Sequence, residues 1–235
     1  MNIILFKEGE NIIKRGDERF SHIKKVLHLS LGDSFKAGII NARQGYATID
    51  AIGEDEIVLS FDLSEERTPL YPLTLIVAQV RPICMKRILR EAVTLGASRL
   101  LLAVSDLGEK SYLSASLYQS GEYEEILLDG AMQSGFSSIP ETLILKSLDE
   151  AIAKDDSEEK ILLDNVIGAE PLSHMALRGK SVTLAIGPER GWSDRERRLL
   201  LSSGYKPALL GSRILRTETA VSAGSAVALS RMGIL

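Results

Sequence analysis

The stretch Leu73-Thr74-Leu75-Ile76-Val77-Ala78-Gln79-Val80 is a nearly continuous apolar run. A strand of that kind needs cover on both faces, as in a parallel sheet layered with helices. Working outward, Met85–Leu95 sets Ile88, Ala92 and Leu95 on one side of a helix, and Gly96 follows as the residue that stops it. A strand at Arg99–Val104 and a helix through Leu117–Gln133 come next. Strands at Leu143–Leu145, Ile161–Leu163, Val182–Ile186 and Ala208–Leu210 follow, with helices between them and a last helix from Glu218 to Arg231. This alternation predicts an α/β domain with a mostly parallel sheet over residues 71–235.

Upstream the pattern is different. Asn2–Phe6, Ser34–Ile40, Gly45–Ile52 and Glu56–Leu63 read as short strands broken by Gly32-Asp33, Arg43-Gln44-Gly45 and Gly53-Glu54-Asp55. A short helix is expected from Glu18 to Leu27. Strands at that spacing predict a small β-barrel over residues 1–70. The charged, proline-bearing stretch Ser64–Pro72 marks the boundary.

A chain of 235 residues has room for such a pair of domains. Its 45% hydrophobic and 26% charged residues are ordinary for a soluble folded protein. The opening MNIILFKEGE lacks a basic segment and meets charge at Lys7, so no signal peptide is expected. No run approaches the roughly 18 apolar residues of a membrane span. A single cysteine, Cys84, and three histidines rule out a disulfide framework and offer no metal-ligand cluster. The expectation is a cytoplasmic, metal-free protein.

The net charge of −4 hides segregation. Residues 14–25 hold Lys14, Arg15, Arg19, Lys24 and Lys25 against Asp17 and Glu18. Residues 81–99 hold Arg81, Lys86, Arg87, Arg90 and Arg99 against Glu91, and residues 190–216 hold seven cations against Asp194 and Glu196. Acid gathers at 50–66 and 149–159. A bipolar molecule of this kind can meet a phosphate backbone with its basic side, although each window alone is compatible with an ordinary solvated face.

Two segments carry the chemistry. Ala185-Ile186-Gly187-Pro188-Glu189-Arg190-Gly191-Trp192-Ser193 leaves a strand and enters a helix through the capping box Ser193-Asp194-Arg195-Glu196. Glycines let its backbone come close to a ligand, and the helix start offers free N–H groups. Taken as spacing alone, it is also what a plain tight connection looks like. Leu209-Leu210-Gly211-Ser212-Arg213-Ile214-Leu215-Arg216-Thr217-Glu218-Thr219-Ala220 again joins a strand to a helix, and the helix after it is rich in small residues suited to close packing. No G-x-G-x-x-G or G-x-x-x-x-G-K-[ST] pattern is present, so neither a dinucleotide fold nor a P-loop is supported.

IGPERGWSDRE followed by LGSRILRTETA resembles the paired C-terminal signature of the RsmE family of 16S rRNA uracil-N3 methyltransferases, within the SPOUT superfamily. SHIKKVLHLSLGD, PLTLIVAQV, EAVTLGASRL and GAMQSGFSSIPE resemble further family segments in the same order. The resemblance implies a PUA-like RNA-binding barrel, and a SPOUT domain with a deep trefoil knot that holds S-adenosylmethionine. It also implies a homodimer acting on 16S rRNA or the small ribosomal subunit, with RNA rather than DNA as partner.

Carried over by position, the cofactor residues are Leu163, Ile186, Gly187, Pro188, Glu189, Gly191, Leu210, Gly211, Ile214, Leu215 and Arg216. Methylating uracil N3 requires loss of an imide proton and stabilisation of the resulting anion. Arg216, then Arg213, is the candidate for the second task, and Glu218 or a water for the first. Lys24, Lys25, Arg81, Lys86 and Gln133 are candidates to hold RNA. The chain departs from the family pattern at Arg190, where a glycine is usual, and at Phe136, where an arginine is common. Rival readings are a methyltransferase for another RNA (a tRNA or a ribose hydroxyl) and a knotted RNA-binding protein without turnover.

Overall fold

A computed structural model describes residues 1–235, which divide into two units. The first holds Met1–Pro69 and also Leu128–Ile139, a segment that the sequence pattern had grouped with the C-terminal half. Its strands are β1 (Ile4–Phe6), β2 (Ile12–Lys14), β3 (Ser34–Ile39), β4 (Gln44–Ile52) and β5 (Glu56–Glu65). They form one mixed sheet in the order β1-β3-β4-β5-β2, with β1 parallel to β3 and the other pairs antiparallel.

Alternation puts Ala47 and Ile49 of β4, and Ile57 and Leu59 of β5, into a core with Phe6, Ile13 and Ile23. Gly45 is obligatory in β4, because a Cβ there would lie 2.2 Å from the Asp62 carbonyl oxygen. The expected helix is helix α1 (Glu18–Ser21) continued by a π-helical turn at His22–Val26. Strand β2 has only three residues, too few to show a period. The Leu128–Ile139 segment is tied in by Asn2 N–H donating to the Met132 carbonyl (2.9 Å) and Ser137 Oγ donating to the Ala42 carbonyl (2.7 Å).

The second unit comprises Leu70–Leu127 and Pro140–Leu235. Its elements run β6 (Tyr71–Ala78), α2 (Pro82–Thr94), β7 (Ala97–Ala103), α3 (Ser116–Gln119), α4 (Glu122–Ser134), β8 (Glu141–Leu145), α5 (Leu148–Ala153), β9 (Glu159–Leu163), β10 (Glu170–Pro171), β11 (Val182–Ile186), α6 (Asp194–Ser202), β12 (Lys206–Leu209) and α7 (Thr217–Arg231). Only the part of α4 up to Leu127 falls in this unit. The helix expected through Leu117–Gln133 is in fact two, because Gly121 adopts a left-handed backbone (φ +78°) between α3 and α4.

All seven strands are parallel, in the order β10-β12-β9-β11-β6-β7-β8. The central strands are apolar on both faces, as the run at Leu73–Val80 required: Leu73, Leu75, Ile76 and Val77 are all fully buried. One face packs Ile76, Leu101, Leu162 and Ala185 against Trp192, Leu200 and Tyr205, while α2 and α7 pack together. Burying each such side chain contributes about 1.5–3 kcal/mol. No helix is long and apolar enough to cross a membrane.

The strand order positions the site. From β9 the chain passes to β11 on one side, then returns past β9 to β12 on the other. Leu163 pairs in register with both Ile186 and Ala208. Three neighbouring strands therefore end at one level, and the loops that follow them open side by side. Carboxyl ends of parallel strands at a change of chain direction are where ligands bind in such sheets.

Candidate functional site

These three loops line a cleft of about 110 Å³. From the β9 loop come Leu163, Asp164 and Asn165, from the β11 loop Ile186–Glu189, Gly191 and Trp192, and from the β12 loop Leu210, Gly211, Arg213, Ile214 and Leu215. Each loop is locally fixed. Asp164 Oδ1 accepts from the N–H groups of Val166 (2.7 Å) and Ile167 (3.1 Å), and its Oδ2 accepts from Arg197 Nε at 2.8 Å. The β11 loop turns at Pro188–Gly191, where Gly191 N–H donates to the Pro188 carbonyl at 2.8 Å with φ +69°. Thr217 Oγ1 at the start of α7 donates to the Gly187 carbonyl at 3.1 Å, tying the second loop to the third. A Cβ on Gly187 would approach the backbone of Gly191 and Trp192, and the Trp192 indole nitrogen, to 3.3 Å.

Helix α6 begins as the sequence predicts. Ser193 Oγ accepts from Glu196 N–H at 3.1 Å, and Glu196 Oε2 accepts from Ser193 N–H at 2.8 Å. The fully buried Glu196 also accepts from Asp106 N–H through Oε1 (2.9 Å), so the cap clamps the loop after β7. Asp106 in turn receives Arg195 Nε (2.9 Å) and Nη2 (2.8 Å). Hydrogen bonds from Arg195 and then Ser193 hold its carboxyl below the usual range.

Of the residues named above for a cofactor, all but Arg216 line the cleft. Arg213 lines it and is exposed; Arg216 is exposed at the N-cap of α7, with its side chain outside the lining. Glu218 faces away from the cleft lining, toward α2: its carboxylate lies 3.8 Å from Arg87 and its side chain is only 14% exposed. It also neighbours Cys84, whose thiol is pushed up by burial and then by the charges of Glu218 and Glu189.

The RNA candidates divide. Lys25, Arg81 and Gln133 are exposed. Lys24 instead donates to the Gly53 carbonyl at 2.7 Å and lies over the Phe20 ring, and Lys86 is paired with Glu122. Asp164, Trp192 and Thr217 belong to the site without having been named for it. A strand ending directly in Asp164-Asn165 was the available signal for the first; Thr217 and Trp192 had none beyond lying in the two quoted segments.

Residues 66–229 match the family described as an RNA methyltransferase domain. The chain is 38% identical to the ribosomal RNA small subunit methyltransferase E of Treponema pallidum, over 98% of this chain and 91% of that protein. It is 30% identical to the ribosomal RNA small subunit methyltransferase E 1 of Borreliella burgdorferi, over 99% of each. Among solved structures, the Neisseria gonorrhoeae ribosomal RNA small subunit methyltransferase E, crystallised bound to S-adenosyl methionine, superposes with a TM-score of 0.80. That match has 22% identity and covers 98% of this chain and 97% of that one. A probable rRNA methyltransferase of Porphyromonas gingivalis superposes at 0.84, with 21% identity and 99% of both chains covered. Sequence and fold agree, and this chain belongs to the RNA methyltransferase family that contains the ribosomal RNA small subunit methyltransferases E.

Proposed function

We propose that the protein methylates N3 of a specific uridine in 16S rRNA of the small ribosomal subunit, using S-adenosylmethionine, as a cytoplasmic homodimer. The observation that carries this reading is the convergence of three loops from β9, β11 and β12 on one cleft, in a chain whose relatives are named for methylating small-subunit rRNA. The residues present suit the cofactor. Leu163, Ile186, Leu210 and Leu215 offer apolar walls, and Gly187 and Gly191 leave the loop backbone bare to a ligand. Bound there, S-adenosylmethionine supplies an electrophilic methyl group on sulfur.

The chain's own residues do the rest. Arg213 on the cleft wall and Arg216 at its edge present guanidinium groups that no protein group occupies, and these stabilise negative charge on the uracil oxygens. Glu218, paired with Arg87, serves as proton acceptor only through a water or a turn of its side chain; a water bound in the cleft is the simpler acceptor. The passage of the chain from β11 past β9 to β12 supports the trefoil knot, and the five-stranded sheet of the first unit supports a PUA-like barrel. Ile214, 84% exposed beside the cleft, is surface that a second copy would cover.

The test is incubation of the purified protein with labelled S-adenosylmethionine and small subunits from cells lacking the gene, followed by digestion to nucleosides. Label in 3-methyluridine is the expected result. Label in tRNA or in a ribose-methylated nucleoside would replace the substrate, and no transfer despite cofactor binding would replace the enzyme by a binding protein.

A further inference from the structure

Within the Pro188–Gly191 turn, Pro188, Glu189 and Gly191 line the cleft and Arg190 does not. Arg190 is exposed, and its side chain has no partner. The turn beneath it is fixed: Gly191 N–H closes onto the Pro188 carbonyl (2.8 Å), Thr217 anchors the Gly187 carbonyl (3.1 Å), and Trp192, 1% exposed, follows directly. A side chain at this tip therefore starts from a held backbone and lies outside the cleft lining. Glu189 beside it approaches the Arg81 N–H at 3.5 Å, which sets the start of α2 against the same turn. The Arg81 guanidinium is also exposed and unpaired.

Four other arginines of this unit are committed to the fold. Arg99 binds Glu141 and Asp156, Arg195 binds Asp106 and Asp149, Arg197 binds Asp164 and Asp194, and Arg231 donates to the Met175 carbonyl. Two free guanidiniums, one on the turn and one at the start of α2 set against it, suit a phosphate, whose oxygens accept the paired donors of arginine.

We propose that Arg190, with Arg81 beside it, grips a backbone phosphate of the RNA next to the nucleotide that enters the cleft. Arg190 is then a positioning residue for the substrate and makes no contact with the cofactor. This inference rests on the RNA methyl-transfer reading above.

Arg190→Gly and Arg190→Gln test it, with Arg178→Gly as the control. Arg178 is exposed and lies before β11, at the opposite end of that strand. Affinity for a small-subunit rRNA transcript is measured over a range of salt, cofactor affinity by equilibrium dialysis, and transfer kinetics with melting curves to verify folding. Both Arg190 variants should bind RNA roughly three- to tenfold more weakly, with a salt slope shallower by about 0.7. KM for RNA should rise while kcat and S-adenosylmethionine affinity hold, and Arg178→Gly should match the wild type.

Unchanged RNA affinity and slope in the Arg190 variants would overturn the proposal. So would an equal loss in Arg178→Gly, which would mean a diffuse field, or a loss of cofactor affinity, which would place Arg190 in the cofactor loop. A wild-type protein that neither binds nor methylates RNA would overturn the underlying function first, and this inference with it.

Discussion

The two ends of the seven-stranded sheet are built on opposite principles. At the amino ends of β9, β11 and β12, the buried carboxylate of Asp155 accepts from the Thr183 hydroxyl at 2.6 Å and from the Tyr205 hydroxyl. Thr183 also reaches Ser157 at 2.7 Å, and Lys160 lies 3.7 Å from the same carboxylate. Every one of these groups has a partner inside the protein. Burial and then the hydrogen bond to Asp155 push the Tyr205 hydroxyl far above its ordinary range, so it stays a donor.

At the carboxyl ends, the same strands open into glycine-bearing loops, a cleft, and arginines left without partners. A closed polar network adds stability because leaving one member unpaired is costly. Polar groups that the fold leaves free remain available to a ligand. One edge of the sheet secures the fold, and the other keeps donors in reserve.

Substitutions that separate the two edges sharpen the contrast. The largest effect is expected from Arg216→Ala: methyl transfer should fall by about 10²–10³-fold with stability changed by less than about 0.5 kcal/mol. Near-normal turnover in the label-transfer assay would move the anion-stabilising role to Arg213. Asp155→Ala should show the reverse. It leaves the buried Tyr205 hydroxyl without a partner and Thr183 with Ser157 alone, and should cost about 3 kcal/mol, roughly 6–12 °C in melting temperature. Affinity for the proposed cofactor should survive in the folded fraction; a parallel loss of that affinity would show that the two edges are coupled.

Gly187→Ala tests how rigid the carboxyl edge is. The added Cβ meets backbone and the buried indole at 3.3 Å, so cofactor affinity should weaken about tenfold for a stability change near 1 kcal/mol. Wild-type affinity in equilibrium dialysis would mean that the turn yields at little cost. The smallest effect concerns Asp106, the ionic latch on the otherwise open edge. Its carboxyl is held below its ordinary value of 3.8, first by hydrogen bonds from Arg195. Its contribution is therefore present above about pH 3.8 and lost as the pH falls through the lower folded-state value. Wild type should melt slightly above Asp106→Asn at neutral pH, with the gap closing in acid; a gap that persists at pH 2 would assign the difference to packing.

The two edges also differ in how far the sequence discloses them. Gly187, Gly191 and Gly211, and the capping box at Ser193–Glu196, lie within two short segments, and local backbone rules make such segments readable. The Asp155 network joins residues 28 and 50 positions apart, and nothing local marks Thr183 or Tyr205 as its members. Counting charge was less informative. The basic window at 190–216 includes Arg195, Arg197 and Lys206, whose charges are answered by Asp106, Asp164 and Glu159. Lys24, counted with the basic helix, folds back onto Phe20 and the Gly53 carbonyl. Linear composition records how many cations a segment has, and only the folded chain shows which of them already have partners.

By itself the sequence determined that the chain after Pro69 alternates strands and helices around a parallel sheet, because a strand apolar on both faces demands cover on both; that Leu128–Ile139 joins the first unit it did not disclose. It also marked where the loops that line the cleft begin, because glycine and capping residues act through their own backbone. The tertiary structure decided what strand order alone can set: that β9, β11 and β12 end at one level and bring three loops together. It decided too that Glu218, one residue into α7, turns to Arg87 on α2 while Arg213 faces the cleft. A side chain's role follows from the direction its element presents after packing, and that direction is a property of the assembled fold.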